Sequence, residues 1–189
     1  MLVRKMIKTQ KITVAGFGGQ GVMTIGQILA YTGNEYDLNT LWYPSYGPET
    51  RGGTANCAVT ISKEAINSPV FSEATTLIIL NEPSLKKFID KIENNGNLIY
   101  NSSLIVGKVL KDSINIYPIP ANDIALELGN ARVSNMVVLG AYLALNPSFE
   151  EKMLKVIEVM LGENKKDLLQ LNITALYTGK EYLEKIKHQ

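Results

Sequence analysis

A short β-rich run, Lys11-Ile-Thr-Val-Ala15, passes directly into Gly16-Phe17-Gly18-Gly19-Gln20-Gly21. Apolar residues then recur at helical spacing at Val22, Ile25, Leu29 and Ala30, so a helix starts near Gly21. This order of strand, glycine loop and helix limits the fold more than any other feature. The bare amides of such a loop, with the helix N-terminus behind them, can hold a phosphate. The same glycines can serve only a tight turn and close helix–strand packing, and the residues leave both readings open. A dinucleotide fold also needs an acidic residue at the end of the second strand, for the ribose hydroxyls. Here that strand reads Asn39-Thr-Leu-Trp-Tyr43 and runs into Pro44-Ser45, while Glu35 and Asp37 precede it. NAD is therefore set aside. With it goes a free-standing nucleotide-binding oxidoreductase, which tight binding of NAD or NADP by the isolated protein would revive.

The densest group of conformationally special residues follows, from Trp42 to Cys57. Pro44 and Pro48 fix their own φ and push the preceding residues toward extended geometry. Gly52-Gly53 can take backbone angles closed to other residues. Glu49 and Arg51, two apart, point the same way in extended chain. A shaped loop of this kind reads as a contact surface, formed by Tyr43, Pro44, Tyr46, Gly47, Pro48, Glu49, Arg51, Gly52 and Asn56. Glu49 and Arg51 are expected to form an orienting ion pair or to reach a partner, since desolvated charges at interfaces matter more than exposed ones.

From Thr54 to Ser62 the pattern alternates, with Ala55, Cys57, Val59 and Ile61 on one face. That is a half-buried strand, suited to antiparallel pairing. Cys57 falls on its apolar face and reads as a small buried hydrophobe. The continuous apolar run Thr75–Leu80 suits a central strand covered on both faces. Asn81-Glu82-Pro83-Ser84 opens a helix whose stripe is Leu85, Phe88, Ile89 and Ile92, with Asn94-Asn95-Gly96 as its stop. Leu98–Tyr100 and Ile114–Tyr117 are further strands. Pro120–Asp123 opens a helical region broken at Gly129-Asn130, and Val133–Leu145 resumes it with almost no polar face. Such a helix is buried, in the domain or against a partner. Ser148–Glu151 fits a capping box for a helix ending near Gly162, and Lys165–Lys187 reads as one or two amphipathic helices. The expected fold is α/β: a Rossmann-like, three-layer single domain over residues 1–189, with a mostly parallel, mixed, twisted sheet and helices on both faces.

Composition removes whole classes of function. The formal net charge is +1, which gives no field for nucleic acid or an anionic membrane. The longest apolar run, Met136–Leu145, is half the ~20 residues of a membrane span, and the charged N-terminus has no signal-peptide core. A cytoplasmic protein is expected. The chain has one cysteine, Cys57, and one histidine, His188 near the C-terminus. One thiol cannot ligate an iron–sulfur cluster or a structural zinc. With no internal histidine, no catalytic or metal-ligating residue is assigned.

Three stretches together, Gly16–Val22, Tyr43–Cys57 and Ile124–Arg132 with Asn135-Met136, resemble the gamma subunit of 2-oxoacid:ferredoxin oxidoreductases, and the 2-oxoglutarate type in particular. The resemblance runs from about Lys11 to the C-terminus. It implies a multi-subunit enzyme that decarboxylates a 2-oxoacid on thiamine diphosphate and Mg2+, passes electrons through iron–sulfur clusters to ferredoxin or flavodoxin, and forms an acyl-CoA. The thiamine site and the clusters would lie in alpha, beta and delta subunits. This chain would bind none of those cofactors alone. It would dock through the Tyr43–Asn56 loop and the Val133–Leu145 helix, and Gly16, Gly18, Gly19, Gln20 and Gly21 would hold a phosphate of CoA. Pyruvate or ketoisovalerate is the alternative substrate, and a homodimer is left open for the isolated chain.

Overall fold

The computed structural model describes residues 8–45, 54–161 and 166–187. Its centre is a six-stranded sheet in the order β2-β3-β1-β4-β5-β6. The strands are β1 (Gln10–Phe17), β2 (Asn39–Ser45), β3 (Thr54–Ser62), β4 (Ala74–Ile79), β5 (Ile92–Asn101) and β6 (Asn115–Ile119). β1, β4, β5 and β6 are parallel, while β3 is antiparallel to both β1 and β2. The mixed sheet therefore matches the expectation, including the antiparallel setting of Thr54–Ser62.

The helices are α1 (Val22–Glu35), α2 (Glu82–Phe88), α3 (Ala121–Glu127), α4 (Ser134–Leu145), α5 (Glu150–Leu161) and α6 (Lys166–Lys187). Alternation along the strands sends Ile12, Val14, Cys57, Val59, Ile78 and Ile99 to one face, where they meet α1 and α4 to α6. Ala15, Leu77, Ile79, Leu98 and Tyr100 point the other way, into a smaller core closed by Leu85 and Phe88 of α2. The continuous apolar run of β4 is thus explained by cover on both sides. The two helical layers are unequal: a seven-residue α2 stands opposite the main helical layer. Both outer strands carry a proline, Pro44 in β2 and Pro118 in β6.

Three expectations need correction. The helix opened by Asn81 ends at Phe88, and Ile92 begins β5. Asn94-Asn95-Gly96 is a kink within that strand, with Asn95 at φ 63°, and pairing shifts register between Ala74 and Thr76 to accommodate it. A local turn signal stops a helix or bends a strand equally well; the sheet's hydrogen bonds decided for the strand. The second correction concerns the apolar Val133–Leu145 segment. It is no docking face, because α6 covers it: a Cβ on Gly140 would sit 1.9 Å from the carbonyl oxygen of Leu176, and one on Gly179 1.9 Å from that of Val137. The two helices meet backbone to backbone, so α4 is buried inside the domain. Third, α5 starts at Glu150, after a 3-10 turn over Pro147–Phe149. The last segment, left as one helix or two, is a single helix of 22 residues.

Candidate functional site

The glycine loop lies at the C-terminal edge of the parallel strands, the side where open α/β sheets bind ligands. Its glycines divide into two kinds. Gly16 is a packing position: an added Cβ would come 2.9 Å from Leu80 Cβ and 3.0 Å from Val22 Cγ2. Gly21, at φ 78°, caps α1, and a Cβ there would strike the Asn135 side chain at 2.4 Å. Gly18 and Gly19 are exposed, and Gly19, at φ 90°, has open space where a side chain would be. Close packing therefore accounts for Gly16 and Gly21, and leaves Gly18 and Gly19 facing outward. No side chain caps α1, and its first turn carries no acidic residue. The partial positive charge of that helix end is thus left uncompensated, which suits an anion.

Gln20 folds back beneath the loop. Its Oε1 accepts hydrogen bonds from Phe17 N at 2.6 Å and Asn81 Nδ2 at 3.2 Å, and its Nε2 donates to Leu80 O at 3.3 Å. Asn81 in turn accepts from Ser84 N at 2.9 Å and so caps α2. One strand further along, Asn101 donates to Asn122 Oδ1 at 2.8 Å, and Ser103 donates to Asp123 Oδ2 at 2.9 Å. Side-chain hydrogen bonds therefore tie the ends of β1 and β4 to the start of α2, and the end of β5 to the start of α3. Asn81, Asn101 and Asn122 were not singled out as site residues from the sequence. For Asn81 and Asn101 the available signal was an asparagine closing a buried apolar strand; Asn122 carried none.

β2 and β3 bring the base of the central loop to the same edge. Phe17 is paired with Thr54, and Ser45 with Asn56. Tyr43 is 47% exposed and lines, with Asn56, Ser45, Thr13 and Phe71, a cavity of about 210 Å3 on the face away from α1. Pro44 sits in β2 opposite Cys57. Tyr46, Gly47, Pro48, Glu49, Arg51 and Gly52, with the expected Glu49–Arg51 ion pair, lie outside the described residues. β2 ends in Tyr43-Pro44-Ser45.

Cys57 is fully buried under α1 and points its thiol at Val22 O, 3.6 Å away. An added Cβ on Gly26 would lie 2.5 Å from its sulfur and 2.7 Å from Trp42 Nε1, so the glycine makes room for both side chains. Burial raises the thiol from 9.0 to about 11, and the Trp42 indole beside it offsets this a little. A protonated, enclosed thiol does not fit an iron–sulfur ligand. A measurable consequence follows. Above pH 9 the unfolded chain loses this proton before the folded one does, so Cys57 makes stability fall as pH rises from about 9 to 11. The loss attributable to it should reach about 2 kcal/mol by pH 11. Urea midpoints across that range should fall more steeply for the native chain than for Cys57→Ala; equal slopes would refute the assignment.

The comparisons with known proteins agree with this fold. Residues 11–182 match the family model described as pyruvate ferredoxin/flavodoxin oxidoreductase. Among curated relatives, the ketoisovalerate oxidoreductase subunit VorA of Methanothermobacter thermautotrophicus is 35% identical over 173 residues, covering 91% of this chain and 36% of VorA. The chain thus spans about a third of that relative's length. The 2-oxoglutarate synthase subunit KorC of Methanocaldococcus jannaschii is 34% identical over 172 residues, covering 88% of this chain and 92% of KorC. Among solved structures, the 2-oxoglutarate:ferredoxin oxidoreductase of Magnetococcus marinus, with 2-oxoglutarate, coenzyme A and succinyl-CoA bound, superposes with a TM-score of 0.87 at 25% identity. It covers 95% of this chain and 32% of that one. The keto/oxoacid ferredoxin oxidoreductase gamma subunit of Geobacter sulfurreducens superposes with a TM-score of 0.78 at 27% identity, covering 93% of this chain and 99% of that one. A mixed sheet with these helices, a family match across nearly the whole chain and a gamma subunit matched end to end converge on one assignment: this chain belongs to the pyruvate ferredoxin/flavodoxin oxidoreductase family, as a domain of the gamma-subunit type.

Proposed function

We propose that the chain is the gamma subunit of a cytoplasmic 2-oxoglutarate:acceptor oxidoreductase built with alpha, beta and delta subunits. The reaction would convert 2-oxoglutarate and CoA to succinyl-CoA and CO2, releasing two electrons to ferredoxin or flavodoxin and one proton. Thiamine diphosphate with Mg2+ would supply the decarboxylation chemistry and iron–sulfur clusters the electron path, both in the partner subunits. Among the described residues no group of three or more histidine, cysteine or carboxylate side chains is placed to hold a metal ion. The lone thiol is buried. This chain's own part is assembly, through the loop rooted at Tyr43, Pro44 and Asn56, and binding of a CoA phosphate at Gly16–Gly21.

The observation that carries the CoA role is the division of the loop. Gly16 and Gly21 lock it against the fold, while Gly18 and Gly19 stay open beside an uncapped helix N-terminus. The bound CoA named for the Magnetococcus marinus enzyme supports it. The second reading, ketoisovalerate as substrate, rests on the identity to VorA.

Reconstitution with the partner subunits tests both. The assembled enzyme should favour 2-oxoglutarate over 2-oxoisovalerate and pyruvate in kcat/KM, and the isolated chain should turn over none of them. Activity of the isolated chain would overturn the subunit role, and a preference for 2-oxoisovalerate would move the substrate to the second reading. Gly19→Trp fills the open side of the loop and should raise the KM for CoA at least about tenfold, the loss of one good phosphate contact. An unchanged KM would remove CoA binding from this loop.

A further inference from the structure

We infer that Gln20 and Asn81 are positioning residues, a pair of amides that presets the glycine loop for its anion rather than touching the anion themselves. The inference rests on the CoA-phosphate reading of the loop and adds what shapes it. Backbone groups, which cannot be turned around, fix both amide orientations. Phe17 N–H can only donate, so it meets Gln20 Oε1, and Leu80 C=O can only accept, so it meets Gln20 Nε2. Ser84 N–H likewise claims Asn81 Oδ1, which leaves Asn81 Nδ2 to donate to Gln20 Oε1.

The three contacts bind opposite parts of the site together. Phe17 is the last residue of β1, Leu80 follows β4, and Asn81 is the cap of α2. Asn81 is 2% exposed, so its amide is shielded from competing water. From the other side, the Asn135 side chain of α4 rests on Gly21. The loop is therefore clamped between two helices before any ligand arrives. An anion then meets a loop already in shape and gives up little affinity to ordering it.

Asn81→Asp separates this role from a structural one. The new carboxylate keeps an oxygen for Ser84 N–H, so the cap of α2 survives. Its second oxygen replaces Nδ2 and faces Gln20 Oε1, oxygen to oxygen. A flipped Gln20 amide would relieve that clash only by opposing Phe17 N–H with an NH2 group and Leu80 C=O with an oxygen. Either way the loop must move.

In the reconstituted complex, with CoA as the probe, Asn81→Asp should raise the KM for CoA at least tenfold. It should leave kcat within twofold. Gly19→Trp is measured alongside. If Gly19→Trp raises the KM and Asn81→Asp does not, the positioning role fails and the loop's CoA role stands. If Asn81→Asp lowers kcat and the melting temperature together with its effect on KM, the residue is merely structural and the inference is overturned. If neither variant changes the KM, the CoA reading falls and takes this inference with it.

Discussion

Gly140→Ala should lower the stability of the chain by about 3 kcal/mol or more, a large share of what a domain of this size has. The usual expectation for glycine inside a helix is the reverse, since alanine is favoured there by about 1 kcal/mol. The sign changes because of what lies opposite. The new methyl would sit 1.9 Å from the Leu176 carbonyl oxygen and 2.9 Å from the Lys180 amide nitrogen, both backbone atoms of α6 that cannot swing aside. The helices must separate, and the interdigitation of Val137, Tyr142, Ala175 and Leu183, all fully buried, loosens with them. Gly179→Ala should behave alike, because its methyl meets Val137 O at the same distance. The double variant should cost less than the two single costs added, since helices already pushed apart accommodate the second methyl. Urea denaturation with an unchanged slope reads this directly. A midpoint for Gly140→Ala equal to or above that of the native chain would refute the crossing.

Gly21→Ala is the second large effect, and its cost has two separable parts. The residue sits at φ 78°, which costs an alanine roughly 1–2 kcal/mol. The added methyl would also strike Asn135, whose Nδ2, Cγ and Cβ lie 2.4, 2.8 and 2.9 Å from the Cβ position. Gly19→Ala pays only the backbone part, having open space around it. The expected order of destabilisation is therefore Gly21→Ala above Gly19→Ala, by about 1–3 kcal/mol for the overpacked contact. Adding Asn135→Ala to Gly21→Ala should recover the steric part and leave the backbone part. A double-mutant cycle by thermal or urea unfolding isolates the two. No coupling between positions 21 and 135 would show that α4 does not press on the loop.

Much of this was legible in the residues, for physical reasons that differ along the chain. β4 announced itself because a strand covered on both faces needs an unbroken apolar run. Thr54–Ser62 did so because one covered face imposes strict alternation. The Val133–Leu145 segment could be read as buried but not as buried by what. Its cover is a helix some forty residues later, and the match lies in two glycines whose pairing no local pattern reveals. Asn94-Asn95-Gly96 misled because turn chemistry is indifferent to what it interrupts. At the site, the strand–glycine–helix order gave the loop, and its apolar and glycine content gave no hint of the amide clamp beneath it. Gln20 looked like a ligand contact; its side chain is instead committed to Phe17, Leu80 and Asn81. Amide networks depend on which strand ends become neighbours, and that is a property of topology.

The prolines in the two outermost strands bear on how such a domain can join others. Pro44 and Pro118 each lack an amide hydrogen on the rim of the sheet, where proline turns its nitrogen outward. Lateral growth by a foreign strand meets a gap in the donor row at either end. Association is thereby steered away from indiscriminate sheet extension, and toward shaped surfaces that only a matching companion can fit.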